Sequence, residues 1–374
     1  MTSLLFSPID VGGMHLPNRI AVPPMCQYSA DDGSANDWHL QHWMMLGMSG
    51  AGMITIEATG VERRGRITHG CLGLYSDDNE AAIARGVAAA RRVSPAGSKF
   101  GIQLAHAGRK ASTRLQWLGP APLPPEEDPW PTVAASAVAP ADGWPVPEAL
   151  DEAGIERVIT AFAAAASRSV RIGLDFVELH FAHGYLANTF LSPISNKRKD
   201  QWGGSLENRM RFALAVARAV RKAMPQEMPL GARLSATDWV DGGFNPDEAV
   251  AVSRALKAEG LSFICASSGG VDPSAKVPNT PSYQVPFAER IRRDAGITTR
   301  AVGLIDDPFV AEEILAQGKA DIVALGRAFL ADPRWAWRAA AALGEPFRPV
   351  NQYHRAAHLI AQWAPKRAKA KETA

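Results

Sequence analysis

Cysteine is scarce: Cys26, Cys71 and Cys265 are the only three in 374 residues, and they stand far apart. None belongs to a CxxC pair, so the spacing offers neither a zinc site nor an iron–sulfur cluster. An odd, scattered set fits a reducing cytoplasm better than a disulfide-framed exported protein. Long apolar runs are also missing. Leu4-Leu5-Phe6 is interrupted by Pro8 and Asp10, and nothing approaches the ~18 apolar residues of a membrane span. The third absence is charge of one sign, with 40 Lys and Arg against 38 Asp and Glu. That balance argues against a nucleic-acid surface. These absences leave a cytoplasmic protein without membrane or nucleic-acid partners, acting on a small molecule. Its 47% hydrophobic and 21% charged content can bury a large core.

Short β-branched runs alternate with amphipathic or Ala-rich stretches about eight times, the pattern of a parallel α/β architecture. The runs are Ile20–Val22, Met53–Ile56, Phe100–Leu104, Phe176–Leu179, Leu230–Leu234, Phe263–Ala266, Thr299–Val302 and Ile322–Leu325. Eight strands favour a single closed TIM (β/α)8 barrel, which a chain of this length accommodates as one domain, residues 1–363. Helices are expected from Ile155 to Arg171, Leu206 to Lys222 and Pro246 to Glu259. Asn245-Pro246 is a helix start, and Gly173 and Gly260 suit helix ends. Gln116 to Leu150 holds nine of the 27 prolines and three tryptophans. It reads as a proline-rich insertion after the third strand, either a packed surface loop or a lid over the pocket. Residues 364–374, with Lys366, Arg367, Lys369 and Lys371, read as a flexible basic tail.

Barrel enzymes gather their chemistry where strands end, so the unusual residues at those exits matter most. The fourth run leads into His180-Phe181-Ala182-His183-Gly184-Tyr185. Its imidazoles can polarise a carbonyl, and its phenol can deliver a proton without being ionised at rest. Two other readings of the pair stay open here, structural histidines and metal ligands, although no HExxH-like spacing supports a metal. The first run exits through Pro23-Pro24-Met25-Cys26-Gln27-Tyr28. The third carries Gln103, whose amide needs partners at both ends, either the edge of a pyrimidine-like ring or neighbouring backbone. Arg233 lies within the fifth strand and must be paired if buried, to an anion or electron-rich heterocycle, or internally to Glu178. Glu57, at the second strand end, reads as structural. After strands seven and eight come Val302-Gly303-Leu304 and Leu325-Gly326-Arg327. Glycine lets backbone N–H groups approach a phosphate, and a helix beginning at Arg327 would add its dipole and a cation.

As a set these residues resemble the Old Yellow Enzyme family of FMN-dependent ene-reductases, in its bacterial thermophilic-like or xenobiotic-reductase subgroup. The matching stretches include Asn18-Arg19-Ile20, Pro23 to Tyr28, Gln103 to Lys110, Glu178 to Leu186, Phe190-Leu191-Ser192-Pro193, Ser195 to Arg198, Glu207-Asn208-Arg209 and Gly326-Arg327, nearly spanning the chain. The resemblance implies non-covalent FMN across the barrel mouth. Pro23, Met25, Cys26 and Ala58 would lie against the ring, Gln103 at its pyrimidine edge, Arg233 near N1 and O2, and Val302, Gly303, Gly326 and Arg327 around the phosphate. It implies that NADPH reduces the flavin in the same pocket, and that hydride then passes from N5 to the β-carbon of an α,β-unsaturated carbonyl, or a related nitro compound or nitrate ester. His180 and His183 would hold the substrate oxygen, Tyr185 would protonate the α-carbon, and Cys26 and Tyr28 would line the pocket. Near the end, Gln352-Tyr353-His354-Arg355 resembles the segment that sends a residue into a neighbouring subunit's site, so Arg355 or Trp363 is a substrate-binding candidate in a homodimer or homotetramer. No metal is expected. The alternative is a flavin-free phosphate-binding barrel, an aldolase or a metal-dependent hydrolase.

Overall fold

In the computed structural model, which describes residues 3–347 and 349–362, each of the eight runs forms a strand. They are β1 (Ile20–Val22), β2 (Met53–Gly60), β3 (Lys99–Ala105), β4 (Phe176–Phe181), β5 (Leu230–Ser235), β6 (Phe263–Ser267), β7 (Thr298–Ala301) and β8 (Ile322–Ala324). Every strand pairs in parallel with its neighbour in sequence. β8 returns to β1, Val323 opposite Ile20, so the sheet closes as a TIM barrel with no free edge.

Eight longer helices follow or flank the strands: α1 (Asp37–Gly47), α2 (Asp77–Val93), α3 (Glu152–Ile172), α4 (Leu206–Lys222), α5 (Pro246–Ala258), α6 (Val285–Ala295), α7 (Pro308–Ala316) and α8 (Trp335–Leu343). Their starts are set by side-chain caps. Ser76, Asp151, Ser205 and Asn245 each accept a hydrogen bond from a first-turn N–H. In α3 the buried Ile155, Val158, Ile159, Phe162, Ala165, Ala166 and Ser169 trace one helical face against the barrel, and Gly173 ends it at φ 80°. Among the described residues no helix is long and apolar enough to cross a membrane.

The barrel is closed at the amino ends of its strands. A hairpin of Ile9–Val11 with Met14–Leu16 packs Val11, Met14 and Leu16 against Met53, Phe176, Phe263 and Ile322. The rings of Phe176 and Phe263 meet edge to face at 6.1 Å, and glycines on adjacent strands make room for them. A Cβ on Gly101 would fall 2.4 Å from the Phe176 ring, and one on Gly231 2.3 Å from that of Phe263.

Above this apolar layer the interior is polar. Arg300 of β7 pairs through Nη2 with Glu178 of β4, both 0% exposed. Arg300 also donates from Nη1 to Thr55 Oγ1 (3.3 Å), and Gln103 Nε2 donates to Glu178 Oε1 (2.7 Å). One ion pair thus joins β2, β3, β4 and β7 across the barrel. It also corrects an expectation, because Arg233 is not the partner of Glu178.

The proline-rich segment lies between β3 and α3. It contains single 3-10 turns at Gln116–Leu118 and Pro125–Glu127 and a two-residue ladder of Val133–Ala134 with Glu148–Ala149. Arg109 fastens it to the barrel mouth, donating to Val138 O (3.2 Å), Ala139 O (3.1 Å) and Val271 O (2.5 Å). Trp130 Nε1 adds a bond to Arg64 O (2.9 Å).

Removing the cation alone should leave a buried carboxylate without its counter-charge. We expect Arg300→Met to cost about 3–5 kcal/mol in urea unfolding, and Arg300→Met/Glu178→Gln to recover much of that loss. Equal destabilisation of the two variants would show that packing, not charge pairing, is what Arg300 supplies.

Candidate active site

The carboxyl ends of the strands surround a cavity of about 780 Å³. Of the residues expected there, Pro23, Met25, His183, Arg233, Val302, Gly303, Gly326 and Arg327 line it together, although they come from five strand exits. Three residues without an assigned role, Ser267, Ser268 and Gln284, line it too.

The wall beyond β1 is held from below by Glu57. In the β2–β3 pairing Ile56 faces Ile102 and Ala58 faces Gln103, so Glu57 is the extra residue of a bulge. Its Oε1 accepts the Gln27 N–H at 2.9 Å. Gln27 is fixed further by Trp38 Nε1, which donates to its Oε1 (3.0 Å), and by its own Nε2 on Met25 O (2.8 Å). The next residue, Tyr28, takes φ 50°, a conformation that costs a side-chain-bearing residue energy and is held here by its surroundings. Cys26 and Tyr28 pack with Tyr185, Trp130, Ile67 and Cys71 in a separate apolar cluster beside the cavity. Ala58 and Tyr185 share a small crevice with Cys71 and Arg66.

At the β4 exit, His180 and His183 meet nearly perpendicular, ring centroids 5.0 Å apart, and Tyr185 sits edge-on to His180 at 4.9 Å. His183 Nδ1 is 3.3 Å from His180 Nε2, and His183 Nε2 is 2.7 Å from Ser267 Oγ. His183 has φ 64°; its N–H donates to Ser235 Oγ (2.9 Å) and its carbonyl accepts from Lys110 Nζ (2.9 Å). Lys110 Nζ also lies 5.4 Å from the Tyr185 ring centre.

Burial decides the protonation states. Desolvation first, then the charges of Arg233 and Lys110, hold His180 well below the usual imidazole range, and desolvation and Arg233 do the same for His183. Both rings are neutral donors at pH 7. Desolvation raises Tyr185 and Cys26, keeping the phenol and the thiol protonated. Glu57 is 2% exposed, and desolvation, opposed by the Gln27 N–H, pushes it up to about 8. Its Oε2 has no partner, and neither has His39 Nε2, 3.9 Å from Oε1.

Arg233 is a half-buried cation in the cavity lining, beside His183. Its Nη2 reaches Ser267 Oγ at 3.5 Å, and its buried Nε has no partner. An unpartnered guanidinium N–H calls for an acceptor. The cavity fits a flavin mononucleotide in this respect. Pro23 and Met25 offer an apolar side, Arg233 an unused donor, and Gly303 (φ 126°), Gly326 and Arg327 an exit loop for a phosphate. The helix there begins at Gly326, one residue before the expected start, and is short. It spans only Gly326–Ala331, so backbone N–H groups and Arg327 would carry phosphate binding with little help from a dipole.

Two further candidates are placed differently. Gln103, 2% exposed, has committed one N–H of its Nε2 to Glu178, leaving the other N–H and its Oε1 for a ring. Arg355 is exposed on the 3-10 turn Asn351–Ala356 and does not line the cavity of its own chain. Trp363 and the basic tail lie outside the described residues. The sequence reading passed over Ser267, which directly follows the run ending at Ala266; its position as the last residue of β6 was the available signal.

Known proteins are similar to this chain over nearly its whole length. The model of the NADH:flavin oxidoreductase / NADH oxidase family matches residues 4–345. The chain is 42% identical over 357 residues to an NADPH dehydrogenase of Geobacillus thermodenitrificans (strain NG80-2), covering 95% of this chain and 99% of that one. It is similar to a structure of morphinone reductase in complex with tetrahydroNAD, at TM-score 0.75 and 27% identity over 97% of this chain and 98% of the other. A 2-naphthoyl-CoA reductase complex matches at TM-score 0.80 and 23% identity, covering 93% of this chain but about half, 53%, of the other; it shares the fold.

Glu57 makes stability depend on pH. Its folded-state value lies above the ordinary carboxyl value, so its contribution is fully present below the unfolded pKa of ~4.3 and is lost as pH rises through about 8. Glu57→Gln keeps the acceptor for Gln27 and removes the titration. Its unfolding free energy relative to the unmodified protein should climb between pH 5 and 8, by on the order of a few kcal/mol, and level off above. A difference that stays flat across this range would exclude a buried, protonated Glu57.

Proposed function

Because the chain belongs to the NADH:flavin oxidoreductase / NADH oxidase family, the Old Yellow Enzyme family its motifs resemble, and is an NADPH-dependent FMN oxidoreductase, we propose that it reduces activated alkenes. The substrates in this reading are α,β-unsaturated carbonyl compounds, with nitro compounds and nitrate esters as related electrophiles. Bound FMN supplies the hydride for the β-carbon, and NADPH replenishes it.

One observation carries the reading: two neutral imidazoles and a protonated phenol meet at the barrel mouth beside a guanidinium whose Nε has no partner. As hydride arrives at the β-carbon, negative charge moves to the carbonyl oxygen. His180 and His183 stabilise it through N–H donors in a site of low polarisability, where such bonds are worth more than in water. Tyr185 gives its proton to the α-carbon, and the Lys110 ammonium above its ring offsets the phenolate left behind. Arg233, with its Nε free to donate, would hold the cofactor ring and supply positive charge beside it. Cys26 and Tyr28 form the side wall that limits substrate shape. Arg355, exposed and outside its own cavity, serves the pocket of a neighbouring copy in a homodimer or homotetramer.

The test begins with the visible spectrum of the purified protein. A flavin band near ~450 nm should bleach with NADPH under anaerobic conditions and return on addition of 2-cyclohexenone. A protein still colourless after FMN reconstitution would favour the flavin-free barrel instead. Tyr185→Phe should slow reoxidation by the enone roughly 10²-fold or more while changing reduction by NADPH little. Equal slowing of both half-reactions would remove Tyr185 from the role of proton donor.

A further inference from the structure

Two imidazoles can serve one oxygen only if each carries its proton on the nitrogen that faces it. For His180 the backbone decides. The Ala182 N–H donates to Nδ1 at 3.2 Å, so the neutral ring bears its proton on Nε2. His183 presents Nδ1 to that same Nε2 at 3.3 Å, and two arrangements follow. If His183 carries its proton on Nε2, its bare Nδ1 accepts from His180 and both donors are spent within the protein. If it carries the proton on Nδ1, both N–H groups border one gap, and a single oxygen can accept from both.

The choice falls to the group on the far side of His183, Ser267 Oγ, 2.7 Å from Nε2. We propose that Ser267 is a positioning residue that fixes the reactive tautomer of His183, donating its hydroxyl proton to Nε2 so that Nδ1–H is available to the substrate oxygen. The surroundings of Ser267 favour this direction. Arg233 Nη2, which can only donate, reaches Oγ at 3.5 Å and occupies a lone pair. The other acceptor within reach, Gln284 Oε1, lies farther off at 3.3 Å and already receives the Ser268 hydroxyl at 2.7 Å. Gln284 cannot turn its amide without giving up the bond from its Nε2 to Val302 O (3.2 Å). The serine proton therefore has one close acceptor, the His183 ring.

The resulting chain runs from the Arg233 guanidinium through the Ser267 hydroxyl to His183 and on to the substrate oxygen. Each bond polarises the next. Arg233, which borders the cofactor cavity, is thereby connected to the donor that holds the substrate. Such support from behind is how a protein commonly selects a histidine tautomer.

This inference rests on the reading of His180 and His183 as the anchor of a substrate oxygen, and the experiment separates the two. The FMN-loaded enzyme, labelled with ¹⁵N-histidine, is titrated with 4-chlorophenol as a phenolate probe. Long-range ¹H–¹⁵N spectra of the unmodified complex should show His183 protonated on Nδ1. In Ser267→Ala the proton should move to Nε2, and the dissociation constant for 4-chlorophenol and the KM for 2-cyclohexenone should each rise roughly 10- to 100-fold, as expected for losing a hydrogen bond to a charged oxygen. Ser267→Thr, which keeps the hydroxyl, should recover most of the affinity. Nε2 protonation of His183 in the unmodified phenol complex overturns the proposal, whatever the variants do. So does unchanged phenol affinity in a Ser267→Ala protein with full flavin content. If the unmodified holoenzyme binds no phenol and turns over no enone, the functional reading falls as well.

Discussion

The ion pair between Arg300 and Glu178 sets the terms for everything above it. Two opposite charges, fully removed from water, are tolerable when each satisfies the other and most of the remaining donors and acceptors find partners. Here Thr55 takes an Arg300 donor and Gln103 supplies one to Glu178, while Arg300 Nε is left without a partner. That arrangement ties four strands together and makes the barrel interior a solid floor. It also absorbs the one carboxylate on β4 that could have neutralised Arg233. The guanidinium at the mouth has no carboxylate from β4 and keeps its Nε unspent because the one beneath it takes Glu178.

Above that floor, the titratable groups packed around the two histidines are mostly uncharged. Burial keeps His180 and His183 neutral, Tyr185 and Cys26 protonated, and Glu57 a carboxylic acid below about pH 8. The formal charges beside the two histidines are the cations Arg233 and Lys110, with Arg327, Arg338, Asp306 and Asp332 elsewhere in the cavity lining. Donors therefore predominate where the histidines stand, which suits the proposed reaction, in which an electron pair passes to an oxygen. The same desolvation that costs folding energy at Glu57 keeps an anion away from that electron pair.

The barrel was legible because its strands are short β-branched runs whose ends are marked by glycine and proline, and because consecutive strands pair with one another. His180, His183 and Tyr185 were legible because six consecutive residues carry them. The Arg300–Glu178 pair was not, since its partners stand 122 positions apart and several charged residues could have faced Glu178. The role of Glu57 was hidden by the bulge, which breaks the strict alternation that a strand reading relies on. Ser267 escaped notice because a serine at a strand end is an unremarkable turn residue until the fold brings it against an imidazole 84 positions away.

The hairpin that seals the barrel base has a consequence for traffic. With Val11, Met14 and Leu16 closing one end, large molecules come and go by the other, where the strand exits open. In the proposed cycle the electron donor and the acceptor would then queue at the same door and exclude one another. An excess of either would slow the whole cycle by standing in the other's place, so the turnover rate would reflect the ratio of the two as much as the amount of each.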